Sequence, residues 1–266
     1  MIVEHAASIL KHAAPADPLR RKAFYDEYGF LIVRGAFPEA ECAGYREELH
    51  ALAARLQRQK DIDATWRGAW LQDAERKRVQ VLHCHDVQFY LGSFSRLLVD
   101  PRLLDPVEQL IGPNIQLHHT KMFIKPPETG APFPLHQDYP YFPHRDHTML
   151  AAVLHLDDAP VAKGCLRVAP ASHKLGPQPT EPDGLYLSPQ EWPLEKAVPV
   201  PCRAGDLLIF NYLLIHGSGS NESAESRTTC LFQMRNPSDP PTEARHQQSR
   251  GQGMILRGID PLAGAG

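Results

Sequence analysis

The sequence predicts a mainly β domain of the α+β class: an antiparallel jelly-roll barrel (a double-stranded β-helix) with helices packed outside it. Two observations predict this. From about residue 114 the chain breaks into short runs of β-branched and large apolar residues, separated by Gly, Asp, Ser and many of the 25 prolines, which is the chemistry of turns between strands. Before that point the texture is helical, rich in Ala, Leu, Glu and Arg.

Each element follows from local signals. Pro18–Tyr28 is a helix with Gly29 as its stop. Phe30–Val33 is a β-branched run closed by Gly35, hence a strand. Pro38 opens a second helix, Glu39–Gln59, because proline suits a first helical position. A third helix, Pro101–Leu110, ends at Gly112-Pro113. Strands follow at Ile115–Lys125, Met149–Leu156, Cys165–Ala169, Asp206–Ile215 and Arg227–Met234. The tail after Asn236 is polar, with a weak anchoring segment at Met254–Leu256. The expected organisation is one domain of 266 residues. It has a mainly helical part (1–112), a barrel core (113–235) and a C-terminal tail (236–266).

Composition excludes several classes. A net charge of −3 argues against nucleic acid as a partner. The apolar runs are too short to span a bilayer. Met1–Ala14 carries Glu4 and Lys11, unlike a secretory leader, and the final Ala-Gly-Ala-Gly is not a peroxisomal address. The five cysteines are scattered, with no CxxC pair, so neither a zinc knuckle nor a disulfide framework is indicated. The expectation is a soluble cytoplasmic enzyme acting on a small molecule.

The chemistry centres on Pro134-Leu135-His136-Gln137-Asp138-Tyr139. His136 and Asp138 are two residues apart, which on a strand puts both on one face. His216 follows 78 residues after Asp138, in Leu213–Gly219. Two imidazoles and one carboxylate on one side of a metal leave three positions open, the facial set of non-haem Fe(II) oxygenases. Those positions suit a bidentate 2-oxo acid and O2. Arg227 lies 11 residues beyond His216. A turn at Asn221–Ser226 is expected to bring its strand back beside that of His216, so that Arg227 grips the far carboxylate of 2-oxoglutarate with two hydrogen bonds. Ser218 shares the parity of His216 and can donate a hydroxyl there. Each residue alone has an ordinary structural explanation; the set in a β-rich frame does not.

These residues carry a family resemblance. Tyr25–Pro38, Phe123–Pro127 with Pro134–Asp138 and Tyr141–Pro143, Lys163–Leu166 with Pro170–Lys174, and Leu213–Asn221 with Arg227 resemble the phytanoyl-CoA dioxygenase family of Fe(II)/2-oxoglutarate oxygenases. The resemblance runs from about Tyr25 to Arg235. It implies that His136, Asp138 and His216 ligate iron, that Arg227 and Ser218 bind 2-oxoglutarate, and that Lys121 is a further co-substrate contact. It also implies conversion of 2-oxoglutarate and O2 to succinate and CO2. Ala171 stands where the family usually has Gly. Asp138 is intact, which argues against halogenation.

The substrate is expected to be a small, largely apolar metabolite that is hydroxylated at an unactivated C–H, such as an acyl-CoA or an amino-acid or natural-product intermediate. Tyr139, Tyr141, Phe142 and Leu154 are candidate pocket walls. Arg145 and Lys125 are candidates for a basic mouth. His118, His119, His144 and His147 are possible pocket residues, His83 and His85 mark a strand or loop near the mouth, and His173 organises its loop. Two other readings stay open: a metal enzyme of the same barrel that does not use 2-oxoglutarate, and a non-catalytic ligand-binding barrel.

Overall fold

The computed structural model describes residues 8–59, 81–182, 184–243 and 249–263. Helix α1 (Pro18–Tyr28) opens where the Asp17 side chain accepts from the Leu19 amide, and closes on Gly29 at φ +80°. Strand β1 (Phe30–Val33), α2 (Glu39–Gln59), β2 (Leu82–His85), α3 (Gly92–Leu97) and α4 (Pro101–Ile111) follow. The barrel strands are β3 (Ile115–Lys125), β4 (Phe133–His136), β5 (Leu150–His155), β6 (Leu166–Val168), β7 (Val198–Val200), β8 (Leu207–Asn211), β9 (His216–Ser218) and β10 (Arg227–Arg235), with β11 (Ile255–Arg257) in the tail.

Two antiparallel sheets form. The larger has the order β1-β8-β5-β10-β3-β11, with β2 also pairing β3; the smaller is β4-β9-β6-β7. From β3 to β10 the chain keeps crossing between the sheets, which is jelly-roll topology. The strands of the large sheet alternate. Met122, Ile124, Cys230, Phe232, Leu154 and Ile209 join the core that also holds Leu49, Leu103 and Val107 of the helices. Their neighbours Phe123 and Thr229 line the barrel interior instead. Period-two side chains thus give this sheet one face for the helices and one for chemistry.

Three features depart from the sequence reading. The expected strand Asp206–Ile215 is shorter: β8 stops at Asn211 in the large sheet, and the chain then turns into β9 of the small one. A turn separates them, in which the Leu213 amide donates to Asn211 Oδ1 at 2.8 Å and the Leu214 amide to the Asn211 carbonyl at 2.8 Å. Continuous apolar sequence hid this turn because Tyr212, Leu213 and Leu214 are all buried. Second, β10 does not return beside β9. It pairs β3 and β5 in the opposite sheet, so Arg227 reaches the interior from across the barrel. Third, α3 and β7 were not anticipated, and β2 settles the choice between strand and loop left open for His83 and His85; β7 contains Pro199 and has three residues, too short for a periodic signal.

Candidate active site and metal centre

Strands β4 and β9 pair antiparallel, with His136 directly opposite His216. Their rings lie 4.3 Å apart, centroid to centroid. Gly217 permits this approach: a Cβ there would sit 2.6 Å from the Phe133 carbonyl oxygen of β4. Asp138 is not on the strand. β4 ends at His136, and Asp138 has helical torsions (φ −74°, ψ −22°), its amide donating to the Tyr212 carbonyl at 2.9 Å. A turn, rather than strand parity, therefore brings the carboxylate to the imidazoles. Gln137 between them points the other way. Its amide nitrogen donates to the carbonyls of Leu213 (2.6 Å) and Gly176 (3.0 Å), and its oxygen accepts from the Gln178 amide.

Asp138 Oδ1 lies 3.8 Å from Nε2 of both His136 and His216. Among the described residues these three form a group with metal-ligand spacing. Two ligands of one ion, each bonded at about 2.0–2.2 Å, fall within about 4 Å of each other. His136 Nδ1 donates to the Pro134 carbonyl (2.8 Å) and His216 Nδ1 to the Leu214 carbonyl (2.9 Å). Those bonds fix the tautomers and leave both Nε2 lone pairs facing Asp138, an arrangement typical of metal-binding imidazoles. Burial pushes both histidines down to about 4, the neighbouring His216 adding to the effect at His136. Burial pushes Asp138 up. Neutral imidazoles and a desolvated carboxylate fit a divalent cation that accepts N and O donors.

The triad sits between two chambers. The inner one, about 90 Å³, is bounded by Phe210, Thr229 and Leu231 and ends at Ser218 and Arg227. Arg227 is buried; its Nη1 donates to the Gly164 carbonyl at 2.5 Å, and its Nε has no partner among the described residues. A buried donor without an acceptor calls for a ligand that supplies one. Asn221 braces this end. Its side-chain nitrogen donates to the carbonyls of Lys125, Pro126 and Glu225, tying the end of β3 to the β9–β10 turn.

The outer chamber, about 260 Å³, opens on the other side of His136 and Asp138. His83, His85, His119 and Lys121 form one wall, and Phe133, Tyr141 and Phe142 another. Register explains the first wall: His85 of β2 and Leu231 of β10 flank Lys121 on β3, and His119 pairs Gln233.

Of the expected site residues, the structure brings together His136, Asp138, His216, Ser218 and Arg227. Lys121 is separated from the Ser218–Arg227 end and lines the outer chamber only. His83, His85 and His119 line the outer chamber. His144 and His147 serve the loop instead, His147 bonding the Tyr212 hydroxyl at 2.6 Å. His173 bonds the Asp26 carbonyl, as a loop organiser should. Tyr141 and Phe142 are walls; Leu154 faces the helical core. Arg145 is paired with Asp146 at the surface, and Lys125 is wholly buried rather than at a mouth. The bracing roles of Gln137 and Asn221 escaped the sequence reading, which placed Lys125 at a mouth. Gln137 had a signal: a polar residue between two metal-facing ones must bond on the opposite side.

Comparisons with known proteins identify the family and the fold. The family model for phytanoyl-CoA dioxygenase matches residues 25–229. The human peroxisomal phytanoyl-CoA dioxygenase is 30% identical over 232 residues, covering 80% of this chain and 68% of that protein. Ectoine dioxygenase of Halomonas elongata is 28% identical over 242 residues, covering 83% and 68%. Among solved structures, the epimerase SnoN in complex with Fe3+, α-ketoglutarate and nogalamycin RO superposes with a TM-score of 0.67 at 25% identity, covering 96% of this chain and 97% of that one. The non-haem monooxygenase ThoJ shares the fold, with a TM-score of 0.71 at 21% identity, covering 89% and 83%.

Proposed function

The chain belongs to the phytanoyl-CoA dioxygenase family and is an iron- and 2-oxoglutarate-dependent dioxygenase, and from that premise we propose that His136, Asp138 and His216 are its metal ligands, with 2-oxoglutarate in the inner chamber and substrate in the outer. The observation that carries this assignment is the triad's position at the junction of two chambers, one ending on buried Arg227. Bound iron supplies O2 activation coupled to loss of CO2 from 2-oxoglutarate and oxidation of a substrate C–H.

The chain's own groups do the rest. The two histidines and Asp138 would hold the iron, a donor set that suits a catalytic non-haem site. Arg227 and Ser218 hold the far carboxylate of 2-oxoglutarate, Arg227 through its partnerless Nε. Phe123, Phe133 and Leu231 border both chambers and keep water from the metal. The outer chamber receives a small molecule with two faces: an apolar or ring-bearing body against Phe133, Tyr141 and Phe142, and a polar or anionic group toward His85, His119 and Lys121. In this reading the substrate is apolar on one face only, and Lys121 faces substrate rather than co-substrate. Hydroxylation is the reaction proposed. The five free cysteines fit a reducing compartment such as the cytoplasm. No described helix is long and apolar enough to cross a membrane.

The test is anaerobic titration of the Fe(II)-loaded protein with 2-oxoglutarate. A visible metal-to-ligand charge-transfer band is expected in the wild type and absent in His136→Ala. A band that survives in His136→Ala removes this residue from the metal. Succinate release, screened over small carboxylates with apolar bodies, then reads out the substrate.

A further inference from the structure

Lys125 ends β3 and is wholly buried. Its Nζ donates to Ser218 Oγ at 2.8 Å and to the Gly219 carbonyl. It lies directly across from Arg227 in the β3–β10 register, so two cationic side chains leave adjacent strands at one row and on one face. Neither forms an ion pair among the described residues. The acid that acts on Arg227, Asp157, is engaged by Arg46 and by the Thr228 amide. Burial, reinforced by Arg227, pushes Lys125 well below the usual lysine range. Two buried cations without a counter-charge oppose folding unless an anion joins them.

The inner chamber is lined by Ser218 and Arg227, and Lys125 stands behind Ser218. A serine hydroxyl has one proton and two acceptor lone pairs. With Lys125 donating to Oγ, the serine's own proton is left to point into the chamber. We propose that Lys125 is a positioning residue for the anionic end of the co-substrate: it orients the Ser218 hydroxyl as a donor and sets a second positive charge behind Arg227. The inner chamber then selects a 2-oxo diacid over a 2-oxo monoacid. This rests on the reading that 2-oxoglutarate occupies that chamber.

The experiment compares two keto acids on the Fe(II)-loaded protein, followed anaerobically by the charge-transfer band. 2-Oxobutyrate keeps the chelating end and lacks the far carboxylate. Lys125→Met should weaken 2-oxoglutarate about 10- to 100-fold and change 2-oxobutyrate by no more than about twofold. Ser218→Ala combined with Lys125→Met should weaken 2-oxoglutarate by less than the product of the single effects, because the pair acts as a unit. The metal-free Lys125→Met protein should unfold no earlier than wild type, since an apolar chain of similar length replaces a buried charge. If Lys125→Met does not fold, Lys125→Gln, which keeps an N–H donor without the charge, carries the same titrations and should retain part of the preference. Equal weakening of both keto acids, unchanged 2-oxoglutarate affinity, or multiplicative effects in the double variant would each overturn the proposal. A wild type with no preference for 2-oxoglutarate over 2-oxobutyrate overturns the co-substrate reading beneath it as well.

Discussion

The two chambers beside the triad are built differently. In the inner one, each polar group that faces the co-substrate end is tied to the backbone frame. Arg227 is held by the Gly164 carbonyl, and Ser218 by Lys125, which also bonds the Gly219 carbonyl. Asn221 locks β3 to the β9–β10 turn behind them. The outer chamber instead takes its walls from separate places: β2, β3, the 139–142 turn and Ser249 near the tail. On the proposed reading, one chamber is a fixed socket for an invariant co-substrate. The other is an assembly of segments that can vary without disturbing the metal, which is how one fold serves many substrates.

The largest expected effect breaks both chambers at once. Asp138→Ala removes the one anionic donor of the triad. It should abolish Fe(II) binding, read by loss of the 2-oxoglutarate charge-transfer band, and lower turnover by at least about 1,000-fold. If the variant keeps the band, a different group completes the site. Arg227→Met should act on the inner chamber alone, weakening 2-oxoglutarate about 100-fold while leaving metal affinity unchanged by direct metal titration. Tight 2-oxoglutarate binding in that variant would show that the two chambers are not divided as described.

Much of this difference was legible in the sequence, and the part that was not has a physical cause. The inner chamber's His136, Asp138, His216, Ser218 and Arg227 are short-range motifs whose chemistry is explicit in residue type. The barrel strands Ile115–Lys125 and Arg227–Arg235 came out of period and propensity within one residue. Sheet membership did not: β9 and β10 are separated by one turn yet lie in different sheets, a matter of long-range pairing with no local sign. Lys125 was misplaced for a similar reason. A lysine in sequence reads as surface, because only tertiary contacts such as Ser218 Oγ and the Gly219 carbonyl make its burial tolerable. The outer wall was hardest, since His85, Lys121 and Leu231 become neighbours only through the pairing of β2, β3 and β10.

A smaller effect separates the chambers from the other side. Lys121 projects into the outer one and lies 4.9 Å from the Phe123 ring centroid. Lys121→Met should raise the KM for an anionic substrate about tenfold, the scale of one partly exposed charged contact. The 2-oxoglutarate affinity from the charge-transfer titration should stay within about twofold. A parallel loss of co-substrate affinity would return Lys121 to the inner chamber's function.

The smallest effect asks whether the rigid side of the comparison depends on backbone strain. Ala171 has φ +66°, a left-handed conformation that costs a non-glycine residue about 1 kcal/mol. Its amide donates to the Tyr28 carbonyl, and the next residue's Ser172 Oγ accepts from the Ile215 amide, one residue before His216. The loop therefore braces a proposed metal ligand while holding a disfavoured torsion. Ala171→Gly removes the Cβ clash and keeps both hydrogen bonds, so it should stabilise the protein by about 0.5–1 kcal/mol in chemical denaturation. Metal affinity should not change, because the brace is the hydrogen bonds and not the strain. A variant that gains stability yet binds Fe(II) more weakly would mean that the strained loop itself presses His216 into place, and the rigidity ascribed to the inner side would then extend to the loop behind the metal.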